Sequence, residues 1–189
     1  SSFTFHGSVD VLAGANLELR GLPAHEGTHV AFTAQGRLTA ASGSTLRAVG
    51  RATSFVALGA TTIDGASLYA LDGGAISLPQ LTSYAAGHSY DDLCLQATGK
   101  GSVLDLGAVQ TFSGNTDWNL LVRAIDGAEV RLGGVESITS GHVQFIAHGM
   151  DDLSVPSTID LTRLTTFNPD ATDPGSERQS GMIVTGGGW

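Results

Sequence analysis

The sequence predicts an all-β fold: a right-handed parallel β-helix, or solenoid, of about six full coils plus a partial seventh. Three observations predict it. Apolar and polar residues alternate at period two, similar strings recur at intervals near 27 residues, and glycine stands at fixed places between the alternating stretches. No stretch of useful length carries the 3.6-residue period of a helix.

The recurring strings run, in chain order, VDVLAGANLELRGL from Val9, LTAASGSTLRAV from Leu38, LYALDGGAISLPQLTSY from Leu68, LQATGKGSVLDLGAVQTF from Leu95 and VRAIDGAEVRLGGVESI from Val122. A sixth, FIAHG and then STIDLTRLTTF, starts at Phe145 with an insertion between its parts. Aligned, they form columns. The first is Val9, Leu38, Leu68, Leu95, Val122 and Phe145; two residues on comes Val11, Ala40, Ala70, Ala97, Ala124 and Ala147. A glycine turn follows at Gly14, Gly43, Gly73 and Gly127. Next is Leu17, Leu46, Ile76, Leu104, Val130 and Ile159, and later Tyr84, Phe112, Ile138 and Phe167. The alanine column spaces the coils 29, 30, 27, 27 and 23 residues apart, so length variation belongs in loops while the columns hold register. A repeat this short buries its apolar face only by stacking on its neighbours, about 4.8 Å apart in parallel sheets. Glycine supplies turns that other residues would strain, and alanine suits a tight corner.

An antiparallel sandwich would not force the same residue type into the same column six times. A leucine-rich repeat would show an Asn ladder and a different length. The strings "DGAEVRLGGVESI" and "STIDLTRLTTF", with their inward Leu/Ile/Val ladders, resemble the right-handed parallel β-helix (pectin-lyase-like) superfamily, closest to repeat regions of large secreted bacterial proteins. The resemblance spans about Phe5 to Trp189 and rests on pattern. It implies a single solenoid domain over residues 1–189, a fragment of a longer repeat protein, located outside the cell or on a bacterial surface.

At the C-terminal end, Met182 and Val184 fit the first and alanine columns, so a seventh coil begins there. The partners expected are further coils of the same polypeptide or end-to-end self-association, and a polysaccharide in the second functional reading. A net charge of −9 argues against nucleic acid. No cationic amphipathic segment and no apolar run of about 20 residues suggests membrane insertion. The chain starts at Ser1 without a signal-peptide pattern and reads as a processed or excised piece. A lone cysteine, Cys94, rules out an internal disulfide and a Cys-based zinc site.

Lyases and glycosidases on this fold work with carboxylates, so the clusters Asp91-Asp92, Asp151-Asp152 and Asp170/Asp173 come first. All fall in loops and read as solvated turn residues, and no Arg stands in a matching lyase motif. No catalytic residue is therefore assigned. His25-Glu26-Gly27-Thr28-His29 matches HExxH, a zincin pattern that needs both histidines on one helical face. Pro23, Gly27, Thr28 and the flanking β segments put it in a loop, and no metal or other cofactor is assigned. Five residues before the alanine column lie His6, Gln35, Gly65, Asp92, Asn119 and His142, with Asp91 and Trp118 beside them. Stacked on one edge, Asp91, Asp92, Trp118, Asn119 and His142 make a candidate glycan-binding ridge with Trp118 as stacking platform; polar residues at strand entry explain the same pattern more simply. Outward columns pair charges, Glu18 against Arg47 and Arg131 between Asp105 and Asp160, and align the hydroxyls of Ser83, Thr111, Ser137 and Thr166. The first functional reading is a non-catalytic structural or adhesive stalk; the alternative is a carbohydrate-binding or polysaccharide-cleaving β-helix.

Overall fold

A computed structural model describes residues 1–21, 29–170 and 180–186. They form a parallel β-solenoid of about six turns, with no helix among the described residues. The chain passes three sides per coil. The first coil is β1 (Ser2–Phe5), β2 (Val9–Val11) and β3 (Asn16–Arg20); the second β4 (Val30–Ala34), β5 (Leu38–Ala40) and β6 (Thr45–Val49). The third is β7 (Thr53–Ala57), β8 (Thr61–Thr62) and β9 (Ser67–Leu71); the fourth β10 (Ala75–Ser77), β11 (Ser83–Gly87) and β12 (Leu93–Thr98). Then come β13 (Val103–Asp105), β14 (Thr111–Asn115) and β15 (Leu120–Ile125), and β16 (Glu129–Arg131), β17 (Ser137–Ile138) and β18 (Val143–His148). The last rung is β19 (Thr158–Asp160), β20 (Thr166–Phe167) and β21 (Gly181–Thr185).

Each side is one stack of parallel strands. The first side runs β1-β4-β7-β10-β13-β16-β19 and the third β3-β6-β9-β12-β15-β18-β21. The second side is split into β2-β5-β8 and β11-β14-β17-β20. Inward residues stack in continuous ladders. On the first side Phe3, Phe32, Phe55, Ile76, Leu104, Val130 and Ile159 are successive partners. On the third side the ladder is Leu17, Leu46, Leu68, Leu95, Val122, Phe145 and Met182, with Leu19, Ala48, Ala70, Ala97, Ala124, Ala147 and Val184 beside it. Between the end rungs these side chains, apart from the half-buried Phe32, are almost wholly buried and form one core. An aromatic file runs through the core: Tyr84 to Phe112 at 5.7 Å, Phe112 to Phe145 at 6.5 Å and Phe145 to Phe167 at 5.9 Å between ring centroids.

The ladders correct the sequence alignment in its first two coils. Leu17 and Leu46, not Val9 and Leu38, lie under Leu68; Val9 and Leu38 pair with each other on the second side. The reason is a degenerate pattern: Val9-x-Val11 and Leu17-x-Leu19 are both apolar pairs two apart, as are Leu38-x-Ala40 and Leu46-x-Ala48. The coil from Leu46 to Leu68 takes 22 residues, and its strand TSFVA was missing from the columns. The glycine turn column likewise merges two corners. Gly14 and Gly43 turn the chain from the second to the third side, whereas Gly73 and Gly127 turn it from the third to the first; all four have positive φ, 72° to 87°. From Leu68 onward the columns stand as read, including Met182 on Phe145 and Val184 on Ala147. The hydroxyl ladder also stacks, Ser83 on Thr111, Thr111 on Ser137 and Ser137 on Thr166.

Coil length varies at the corners. Eight residues separate the first-side ladder from an inward second-side residue in every coil, from Phe3–Val11 to Ile159–Phe167. The step from there to the third side is six residues from Val11 to Leu17, eleven from Tyr84 to Leu95, ten from Phe112 to Val122 and fifteen from Phe167 to Met182. Two other long steps leave the third side, fifteen residues from Leu17 to Phe32 and fourteen from Phe145 to Ile159, the latter with the turn around Asp151. Length variation therefore falls on both corners that flank the third side, and the candidate ridge lies at the one between the second and third sides.

Candidate functional site

Two loops of that corner, 88–92 and 116–119, are held together by hydrogen bonds, four of them made by one side chain. Asn115 is fully buried. Its Oδ1 accepts the N–H groups of Ser89 at 3.2 Å and Asp117 at 3.0 Å, and its Nδ2 donates to the carbonyls of Ser89 at 3.0 Å and Asp91 at 3.2 Å. Every hydrogen-bonding valence of the amide that faces the loops is used, as a buried amide requires. Above it, the His142 N–H donates to the Asn115 carbonyl at 2.8 Å. The sequence columns miss Asn115 because it sits at the strand end over Gly87, an outwardly unremarkable turn position.

The predicted ridge assembles in part. Leu93, Leu120 and Val143 stack, so Asp92, Asn119 and His142 enter the third side on successive rungs. Asp92 Oδ1 accepts both the backbone N–H of Asn119, at 3.3 Å, and its Nδ2, at 3.2 Å. Asp91 and Asp92 are exposed and Trp118 is half-buried, but Asn119 and His142 are buried. The solvent-facing part of the ridge is thus two carboxylates and part of an indole. His6 and Gln35 are not in this column: they follow β1 and β4 at the corner between the first and second sides. Two groups that the sequence columns passed over join the site. His88 Nδ1 lies 3.1 Å from Asp117 Oδ2 and 2.8 Å from Thr116 Oγ1, with the imidazole mostly exposed.

The other carboxylates serve turns. Asp151, with only 4% of its side chain exposed, accepts the N–H groups of Leu153 and Val155 through Oδ1, both at 2.8 Å. Asp152 is exposed and meets Lys100 Nζ at 2.8 Å, and this hydrogen bond holds its carboxyl below the ordinary range. Asp170 Oδ2 accepts the Gly141 N–H at 2.9 Å. Asp173 and the His25-Glu26 end of HEGTH lie outside the described residues. Among the described residues no group of three or more His, Cys, Asp or Glu is placed to hold a metal ion. Cys94 packs beside Leu121, buried, with its N–H on Ser67 Oγ at 3.1 Å.

Ladders, corners and turns together define a parallel β-solenoid with an acidic loop surface at residues 88–92 and 116–119 that bears a partly exposed Trp. No protein-family model, curated protein or solved structure matches the chain.

Proposed function

We propose that this chain is a non-catalytic structural or adhesive stalk segment of a secreted or cell-surface bacterial protein, a solenoid of the pectin-lyase-like kind in its right-handed sense. The observation that carries the reading is the use of the ionisable groups. Asp151 and Asp170 are spent on backbone N–H groups of turns, and Asp92 on Asn119. Such groups hold corners in place, while the uninterrupted inward ladders supply a stiff rod. The test is a screen of the chain against acidic and neutral polysaccharides for eliminative or hydrolytic cleavage. No cleavage is expected, and turnover by the purified chain would overturn the stalk reading.

A second reading, a carbohydrate-binding edge, is favoured by Asp91, Asp92 and Trp118 standing together on loops that Asn115 holds rigid. Exposed carboxylates accept sugar hydroxyls and an indole face stacks on a pyranose ring. A glycan array with the parent chain and Trp118→Ala tests it: binding lost in the variant at unchanged stability supports the edge, and equal binding removes it.

A further inference from the structure

The outer face of the third side holds two arginines without a counter-ion, and we propose that this face binds a sulfated polysaccharide. The inference gives the adhesive form of the stalk reading a ligand and rests on that reading for its biological sense. Arg47, Tyr69, Gln96 and Arg123 are successive partners on β6, β9, β12 and β15, so they form one outward column in mid-stack. The Arg47 guanidinium lies over the Tyr69 ring, 4.9 Å from its centroid, and its buried Nε has no hydrogen-bond partner. Arg123 is half-buried and makes no hydrogen bond or ion pair among the described residues. Arg20, Arg37, Lys100, Arg131 and Arg163 all pair with carboxylates. Glu18, on the rung next to Arg47, is engaged by Arg20 at 2.7 Å.

A half-buried guanidinium without a counter-ion is costly, and an anion arriving from outside relieves that cost. Beside the arginines the outward Ser67, Cys94 and Leu121 are buried, so the floor of the face is shielded from water. From β6 to β21 no strand of the third side carries a carboxylate, although the chain as a whole has a net charge of −9. Asp72 and Asp126, at the rim, follow Tyr69 and Arg123 by three residues, about 10 Å along a strand. Salt at about 0.1 M screens exposed charges over that distance.

The class of ligand follows from the same geometry. Arg47 and Arg123 are three rungs apart, about 14 Å at roughly 4.8 Å per rung, which calls for a chain bearing repeated anions rather than one small ion. The backbone N–H and C=O groups of these strands are taken up by the stack, so a peptide laid across them finds no main-chain partners. Hydroxyl and sulfate oxygens need only the side chains. Guanidinium is weakly hydrated and its planar fork takes two oxygens at once. A sulfate ester spreads one charge over three oxygens and gives up water more readily than a carboxylate, which suits a shielded floor.

The experiment is titration calorimetry of the chain with heparin at about 0.1 M salt. Chemically desulfated heparin, neutral dextran and a single-stranded oligonucleotide serve as comparison ligands. Heparin is expected to bind, and the other three to bind weakly or not at all. Arg47→Gln and Arg123→Gln should each weaken heparin binding about tenfold or more. Arg163→Gln changes the net charge equally, away from this face, and should leave binding unchanged. Both face variants should melt no lower than wild type, because each removes an unpaired charge. Should either lose its circular dichroism spectrum, Arg47→Lys and Arg123→Lys replace them, and the same weakening is expected because the fork is lost. No binding of heparin by the parent chain overturns the proposal. So does an equal loss in Arg163→Gln, which marks a general charge effect, or equal affinity for desulfated heparin or the oligonucleotide. Each of these outcomes leaves the stalk reading standing, since that reading falls only on cleavage in the polysaccharide screen.

Discussion

Replacing Leu104 by Asp places a carboxylate where the fold can least accommodate one. Leu104 is fully buried in mid-stack between Ile76 and Val130, themselves fully buried. Removing the leucine forfeits roughly 1.5–3 kcal/mol of burial. An ionised carboxylate there has no partner, which costs several kcal/mol more, or else the group takes up a proton and stays neutral at a similar penalty. Together these match the roughly 5–15 kcal/mol that holds an ordinary domain together. The neighbouring residue is the control. Asp105 points outward, pairs with Arg131 at 3.5 Å and accepts the Gly107 N–H at 3.1 Å. Asp105→Asn keeps an oxygen for Gly107, and Arg131 keeps Glu129 at 2.7 and 2.8 Å, so the loss is below about 1 kcal/mol. Urea unfolding followed by circular dichroism reads both variants. Leu104→Asp is expected to be unfolded or nearly so in buffer and Asp105→Asn to melt close to wild type. Similar midpoints for the two would refute the inward and outward assignment.

Further outcomes are expected. Asp151→Ala strips two N–H groups of their acceptor and should cost roughly 1–3 kcal/mol, whereas Asp152→Ala, at an exposed ion pair, should be near neutral; urea midpoints compare them. Gly59→Ala should destabilise sharply, because its Cβ would fall 2.1 Å from the Gly36 carbonyl oxygen, a backbone atom that cannot step aside; the thermal midpoint reads it. Burial pushes the phenol of Tyr84 far up, while its hydroxyl donates to the Ala66 carbonyl at 2.9 Å, and burial raises Tyr69 to about 12. The folded state therefore holds these protons where the unfolded chain releases them. Stability is fully present below about pH 10, the unfolded tyrosine value, and falls as the pH rises above it. Tyr84→Phe should flatten much of that alkaline decline in denaturant melts taken between pH 9 and 11, and an unchanged slope would contradict it.

The sequence revealed the ladder wherever one side of the coil differed from the next. From Leu68 onward the third side reads apolar-x-alanine and the first side reads Ile/Leu/Val-x-Leu, so the two cannot be confused, and every stacked pair follows. In the first two coils both strands read apolar-x-apolar, and the period-two signal carries no information on which side a strand occupies. The corner site was legible to the same degree. Asp92, Asn119 and His142 share a column because each precedes a strand whose register is fixed. Their exposure was not readable, since a polar residue at strand entry looks alike whether it faces water or packs under the next loop. Asn115 escaped notice because its role is to satisfy backbone groups of two loops far apart in sequence, Ser89 and Asp91 on one side and Asp117 on the other.

The length of the corner loops is what separates scaffold from surface in this chain. The step from first to second side is eight residues in all seven coils because it spans two strands and a corner bound above and below, where one added residue would turn every following side chain to the other face. The step from second to third side ranges from five residues, Ile63 to Leu68, to fifteen, Phe167 to Met182, while the third-side strands keep register. The chain also varies in length from the third side to the first, from eight residues, Leu68 to Ile76, to fifteen, Leu17 to Phe32, but Asp91, Asp117, Trp118 and His88 stand between the second and third sides. A single change tests this division. Asn115→Ala removes four hydrogen bonds from the loops and none from the ladders. Hydrogen exchange should quicken at Ser89 and Asp117, whose N–H groups it frees, while Leu104 and Val122 keep their protection in the stack. Loss of protection throughout the core on this one substitution would show that the corner loops belong to the scaffold and that the surface residues they carry are not free to be shaped by a ligand.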